Sequence, residues 1–213
     1  MNLGQLRWHE SRQLDSSTVE VHARLDPRIE EAFDWRIASG PEATIRQLFL
    51  EGLSVRILTE LRSLAQNVFI LTNDGPEGRP EPYDFGSMSE HVLKRHSWLT
   101  VRCGFSSDWK FGRDLPFDNY IGQLVMGDFS DFVGDLLGEQ PHPLRYWFCF
   151  AREDVRLENI ANAVESATSD EALKIALAKA SLIIAYGFEA IHYTFITADS
   201  AIAKTLSDSF EKV

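Results

Sequence analysis

The chain has 213 residues, of which 44% are hydrophobic and 25% charged, and these fractions exclude collagen-like, coiled-coil and wholly disordered classes. Its 32 acidic and 21 basic residues give a formal net charge of −11. Such a charge repels polyanions, so binding to anionic membranes is not expected and binding to nucleic acid is disfavoured.

The segment before residue 18 is polar and mixed in charge, which predicts a flexible N-terminal arm over residues 1–17. A single domain is expected over 18–213, because this length suits one hydrophobic core. No apolar run resembles a secretory signal or reaches the ~18 residues of a membrane span. Cys103 and Cys149 lack the paired spacing of a zinc or redox site, so both are expected to be buried, inert thiols. A cytoplasmic location follows as the expectation.

The first elements follow one another closely. From Thr18 to Leu25 apolar and charged residues alternate, which predicts a half-buried strand. Asp26 and Pro27 supply an N-cap and a proline at the first helical position, which predicts a helix over 27–38. A second helix is expected over 42–64, where apolar residues recur three or four apart.

The middle of the chain combines short elements with one long loop. Strands are predicted over 66–72 and 98–103, with a short helix over 88–96 between them. The loop 73–86 contains three prolines and three glycines, and a loop of this length is uncommon without a role. We expect a connector there, with a contact loop as the alternative.

The C-terminal third alternates strands and helices. The run 144–151 is bulky on both faces, as in a central strand, and residues 189–197 alternate as a further strand. A helix is predicted over 153–167. A second should begin at a capping box formed by Thr168 and Glu171 and end at Tyr186, with Gly187 as the stop. A third is predicted after Asp199, which serves as its N-cap. The order lacks a strict βαβ rhythm. It therefore predicts an α+β fold with one mixed sheet of four to five strands covered by helices.

Local catalytic motifs are absent from the sequence. It contains no nucleophile elbow, phosphate-binding loop or dinucleotide fingerprint. His91 and His96 are five residues apart, so they would not share one helix face and could not bind one metal from that helix. With these motifs missing, no metal and no cofactor are expected. An enzyme with a dispersed active site stays open as an alternative, because distant residues leave no local pattern.

The most distinctive feature is an acidic stretch without lysine or arginine between positions 114 and 139. Its apolar spacing predicts a short helix that begins near residue 128, with four apolar residues on one face and carboxylates on the adjacent face. The candidate contact residues are Asp118, Asp128, Asp131, Asp135 and Glu139.

An acidic surface of this kind suits a basic partner, since it steers association and helps select the partner. The sequence therefore predicts a non-enzymatic, acidic binding protein that inhibits or titrates a basic protein, as immunity-type or mobile-element regulators do. Solvated surface is the alternative for the same residues. Reversing the charges of Asp131 and Asp135 is expected to weaken partner binding and to leave thermal stability nearly unchanged.

A DNA-binding regulator is the second prediction for function. Residues 18–64 resemble a ribbon-helix-helix module in the order and lengths of strand, helix and helix. The resemblance implies that Glu20, His22 and Arg24 enter the major groove. Residues 1–62, however, carry eight basic and ten acidic side chains, so no basic patch emerges. The preferred interpretation is that this strand joins the main sheet.

Overall fold

The computed structural model describes residues 1, 3–34, 36–37, 39–72, 96, 99–103, 119–124, 129–139, 146–188 and 191–210. These residues form six helices around one eight-stranded sheet. The strands are β1 (Leu6–Gln13), β2 (Val19–Leu25), β3 (Asn67–Thr72), β4 (Leu99–Cys103), β5 (Asn119–Gln123), β6 (Trp147–Ala151), β7 (Ile183–Phe188) and β8 (His192–Thr197). The helices are α1 (Pro27–Glu31), α2 (Pro41–Arg62), α3 (Phe129–Glu139), α4 (Leu157–Ser166), α5 (Asp170–Ala180) and α6 (Ser200–Ser209).

The sheet has the strand order β1-β2-β8-β7-β6-β3-β5-β4, and every neighbouring pair is antiparallel. An apolar core covers each face. Helices α2, α3 and α6 contribute to one core, and α4 and α5 contribute to the other. The α+β class is thus confirmed. The prediction of four to five mixed strands is wrong, because the sheet is antiparallel and includes three strands that the sequence did not indicate.

All five predicted strands are present. They correspond to β2, β3, β4, β6 and β8, with ends that differ from the prediction by at most three residues. The long helix α2 and the final helix α6 are also confirmed, the latter with Asp199 accepting from the backbone N–H of Ala201 at 2.9 Å. The predicted loop 73–86 and most of the predicted helix 88–96 lie outside the described residues.

The N-terminal segment is an edge strand and not a flexible arm. Strand β1 pairs with β2 over its length, with a bulge between Trp8 and Glu10. Its residues beyond Leu6 are mostly exposed, so they lack the alternation that would have indicated a strand. Asp15 binds the backbone N–H of Thr18 at 2.7 Å and shapes the turn between the two strands.

The helix predicted from residue 168 to Tyr186 splits into α5 and β7. The N-cap of α5 is Ser169, whose hydroxyl accepts from the backbone N–H of Ala172 at 3.1 Å. The helix ends at Ala180, and Ser181 has extended backbone. Strand β7 then crosses the middle of the sheet, where both faces are buried, and such a strand shows no periodicity in sequence.

Helix α1 begins as predicted but ends at Glu31, seven residues early. The following segment folds against α2 instead of extending the helix. Arg46 donates to the backbone carbonyls of Asp34 and Ile37 at 3.1 and 2.8 Å, and Glu42 accepts from the Asp34 N–H at 2.8 Å. These backbone groups are thereby satisfied by side chains of α2.

Asp26 anchors the start of α1 and gives a pH-dependent prediction. Its carboxylate accepts from the side chain and the backbone N–H of Arg28 and from the Arg7 guanidinium, and these bonds hold its pKa well below the usual range. A lowered folded-state pKa stabilises the fold fully above the unfolded value of about 3.9, and this stabilisation is lost as the pH falls through the folded value.

We therefore expect Asp26→Asn to lower the free energy of unfolding by about 1 kcal/mol at pH 7 and to flatten its decline below about pH 4. Urea titrations from neutral to acidic pH measure both effects. Asp154→Asn, a change at an exposed position, is the control and should follow the wild type. If the stability of Asp26→Asn depended on pH as that of the wild type does, the role of the Asp26 carboxylate as the anchor of α1 would be contradicted.

Candidate functional site

The predicted acidic helix exists and is α3. The four apolar residues predicted to share its buried face, Phe129, Phe132, Val133 and Leu136, are all buried, and they lie at the three- and four-residue intervals of one helix face. They pack into the core that α2 and α6 share. The opposite face of α3 therefore points away from the sheet.

The structure places the candidate contact residues in different surroundings. Asp131 is exposed and makes no ion pair with any residue in the described part of the chain. Asp135, one turn later, is only 28% exposed. Glu139 ends α3, but its side chain lies outside the description, as do Asp118 and Asp128. The structure thus brings Asp131 and Asp135 together on α3 and leaves the other three positions untested.

Asp135 is bound to a histidine that the sequence did not connect with it. The Nε2 atom of His96 lies 2.8 Å from Oδ2 of Asp135, and the His96 side chain is 4% exposed. The imidazole also meets the Phe132 ring edge-on at 5.5 Å. Because replacing Asp135 by a cation would set a positive charge against this buried imidazole, reversal at Asp135 is expected to reduce stability, contrary to the prediction from sequence.

The exposed side of α3 carries acidic and small side chains. Around Asp131 it presents Ser130 and Gly134, and a Cβ atom at Gly134 would meet nothing within 4 Å. The helix contains no lysine or arginine. At its start, the Arg62 guanidinium lies 5.8 Å from the centre of the Phe129 ring. Among the described side chains of α3, the neighbours of Asp131 on this face are small, which leaves Asp131 open to a partner on this side.

A second polar cluster lies between α5 and the other face of the sheet. Glu20 of β2 is 2% exposed, and its Oε1 accepts from Lys174 Nζ at 2.8 Å and from Tyr186 Oη at 3.4 Å. His22 approaches the other carboxylate oxygen at 3.6 Å. The Tyr186 ring stacks on Trp147, with centroids 4.6 Å apart. The Glu20 carboxylate is thus occupied by groups of the same chain and ties α5 to the sheet.

The protonation states in this cluster follow from burial and charge. Burial alone would lower the pKa of Lys174, but Tyr186, Glu20 and Asp170 beside it outweigh that effect and raise the pKa above its usual value. Burial raises the pKa of Tyr186 to about 12. At neutral pH the ammonium of Lys174 and the neutral phenol of Tyr186 therefore both donate to Glu20. The lysine is a poor base in this state.

The geometry implied by the ribbon-helix-helix resemblance is not present. Strand β2 lies inside the sheet, with β1 on one side and β8 on the other, so neither of its edges is open to a second subunit. Glu20 is buried, His22 Nδ1 lies 3.1 Å from the Thr194 hydroxyl, and Arg24 forms a two-point bond with Glu30. The interpretation that this strand joins the main sheet is confirmed.

Two further observations concern site chemistry. Among the described residues, no group of three or more histidine, cysteine, aspartate or glutamate side chains is placed to hold a metal ion. Cys149 is fully buried, and burial raises the pKa of its thiol, so it is an inert core residue. The side chain of Cys103 lies outside the described part.

No described helix is long and apolar enough to span a bilayer.

Comparison with known proteins gives no relative from which a role could be transferred. No protein-family model, no curated protein sequence and no solved structure matches the chain at a significant level.

Proposed function

We propose that the chain is a non-enzymatic binding protein that uses the exposed acidic face of α3 to bind a basic protein and to inhibit or titrate it. One observation carries the proposal. Asp131 stands exposed and without a described ion-pair partner on a helix that contains no basic residue, in a chain with a net charge of −11. Several other acidic side chains, such as Glu20, Asp26 and Glu171, are paired with basic ones.

The core beneath α3 makes this face a rigid one. Phe132 and Leu136 are fully buried, and the bond from His96 to Asp135 holds the helix from its flank. An acidic group on a fixed element loses little conformational freedom on binding, and its field accelerates encounter with a cationic surface. Asp131 is the expected centre of contact, and Asp135 contributes charge from its partly buried position.

The test uses charge reversal at one residue of this face. The probes are the purified basic proteins encoded beside this chain's own gene, with lysozyme as an unrelated basic control. We expect one neighbour to bind the wild type with an association rate that falls as salt rises. We expect Asp131→Lys to slow that association by about tenfold, because reversal of a steering charge acts mainly on the on-rate.

The matched control is Asp154→Lys, which reverses an exposed aspartate in the turn between β6 and α4. It changes the net charge by the same amount and should leave the rate nearly unchanged. Equal effects of the two variants would show that only net charge matters, and the α3 site would then be wrong. Absence of binding to every neighbouring basic protein, or equal binding to lysozyme, would overturn the proposed function.

A further inference from the structure

Helix α2 has a second apolar face that neither core of the described residues uses. Its inward face supplies buried residues such as Leu53, Ile57 and Leu61. On the opposite side, Ile45, Leu48 and Val55 are 59%, 61% and 38% exposed. Single exposed apolar residues are ordinary, but three large ones in line on one helix indicate a contact surface.

These residues form a stripe with the spacing of a helix–helix seam. Ile45, Leu48, Gly52 and Val55, here called the outward stripe, are separated by three, four and three residues. At 3.6 residues per turn they lie within an arc of about 80°. This is the spacing by which one helix packs on another. A Cβ atom at Gly52 would meet nothing within 4 Å, so the stripe has an open notch at its centre.

We propose that the occupant of the outward stripe is a second copy of this chain, with the two α2 helices antiparallel. A two-fold axis perpendicular to both helices, at the level of residue 50 along each of them, relates all four residues of the stripe. It places each Leu48 opposite the other copy's Gly52, so that a large side chain enters the notch. The same axis places each Ile45 opposite the other copy's Val55. One patch is thereby complementary to itself, as a two-fold interface requires.

The charges beside the stripe fit the same arrangement. Glu42 and Arg56 lie on one flank of the stripe, at positions whose mean is 49, so the axis brings each Glu42 near the other copy's Arg56. The chain itself orients both side chains. Glu42 accepts from the Asp34 N–H at 2.8 Å, and Arg56 donates to Gln5 at 3.2 Å.

The balance of charge on α2 also favours self-association there. Three glutamates and three arginines alternate along the helix, in a chain whose net charge is −11. Two copies can therefore approach through α2 without the repulsion that two acidic faces would cause. The arrangement has one unfavourable pairing, because Glu51 lies on the other flank next to the axis and faces its own counterpart. We expect Glu51→Gln to strengthen the dimer.

The experiment is sedimentation velocity of the full chain over a range of concentrations from about 1 to 300 µM, which covers micromolar dissociation constants. We expect a monomer–dimer equilibrium whose dissociation constant rises at least tenfold in Leu48→Glu. Trp8→Gln is the control, because Trp8 is an exposed apolar side chain on a different element, the edge strand β1. Thermal unfolding of dilute samples checks that both variants stay folded.

A charge swap tests the register. Glu42→Arg and Arg56→Glu should each weaken the dimer, and the double variant should recover most of the affinity, since the pair is then restored in reverse. A wild type that stays monomeric over the whole range overturns the proposal, and so does a dimer that Leu48→Glu leaves intact or that Trp8→Gln weakens equally. Failure of the double variant to recover overturns the antiparallel pairing.

Discussion

Replacing Lys174 by methionine is expected to lower the free energy of unfolding by about 3 kcal/mol. The change removes the ammonium that lies 2.8 Å from the Glu20 carboxylate and leaves that carboxylate almost fully buried, beside the His22 imidazole and the Tyr186 hydroxyl but without the lysine. The Glu20 carboxylate has lost its hydration by being buried, and in the wild type its attraction to Lys174 offsets that cost. Without Lys174 the cost of burying the carboxylate remains and the offsetting attraction is gone. Urea denaturation at pH 7 measures the difference.

The double variant Glu20→Gln with Lys174→Met is the informative comparison. With both charges gone, no buried ion is left uncompensated, so the double variant should be markedly more stable than Lys174→Met alone. Arg12→Met serves as the matched control. Like Lys174→Met, it breaks an ion pair between α5 and a strand of the sheet. Arg12 and Glu171 are both exposed, however, and such pairs contribute at most about 1 kcal/mol. A loss in Lys174→Met no larger than in Arg12→Met would contradict the buried-pair interpretation.

The same cluster shows what sequence can and cannot predict about this fold. Glu20 occupies a charged position in the alternation that correctly predicted β2, and that alternation indicates a strand with one solvent-facing side. In the structure this side is covered by α5, and Glu20 is buried. The pairing depends on Lys174, more than 150 residues further along the chain, and no local pattern connects the two.

Errors in the predicted elements have separate physical causes. Strand β1 has exposed residues on both faces because it is the edge of the sheet, and β7 is buried on both faces because it lies near the centre. Either situation removes the period of two that reveals a strand. By contrast, β2 and β8 keep enough alternation to be predicted, and the unbroken run of large residues in β6 predicts a central strand.

The candidate site was predictable in part. The four-residue apolar set of α3 gave the helix and its buried face, because an amphipathic helix encodes its orientation in sequence. The partner of Asp135 was not predictable. His96 lies 39 residues earlier and reaches Asp135 only through the fold. Two carboxylates that are equivalent by spacing, Asp131 and Asp135, therefore differ in exposure and in the expected effect of mutation.

Truncating Phe148 to alanine is expected to lower the free energy of unfolding by about 3 to 5 kcal/mol. Phe148 is fully buried in β6, a central strand, where it pairs with Ile70 of β3 and Ala185 of β7. Its ring lies 6.2 Å from that of Phe150. Removing the ring takes away its burial energy and leaves a cavity that surrounding strands cannot close without breaking their ladders.

The matched control is Phe33→Ala, which removes the same atoms from a ring that is only half-buried. Phe33 follows α1 and contacts Phe49 of α2 at a centroid distance of 5.8 Å. Since this site borders solvent, a loss of about 1 kcal/mol is expected. Urea unfolding with an unchanged m-value would show that both variants keep the same native state, so that the two losses can be compared. If Phe148→Ala cost no more than Phe33→Ala, β6 would not lie at the centre of the core, and the strand order on both of its sides would be wrong.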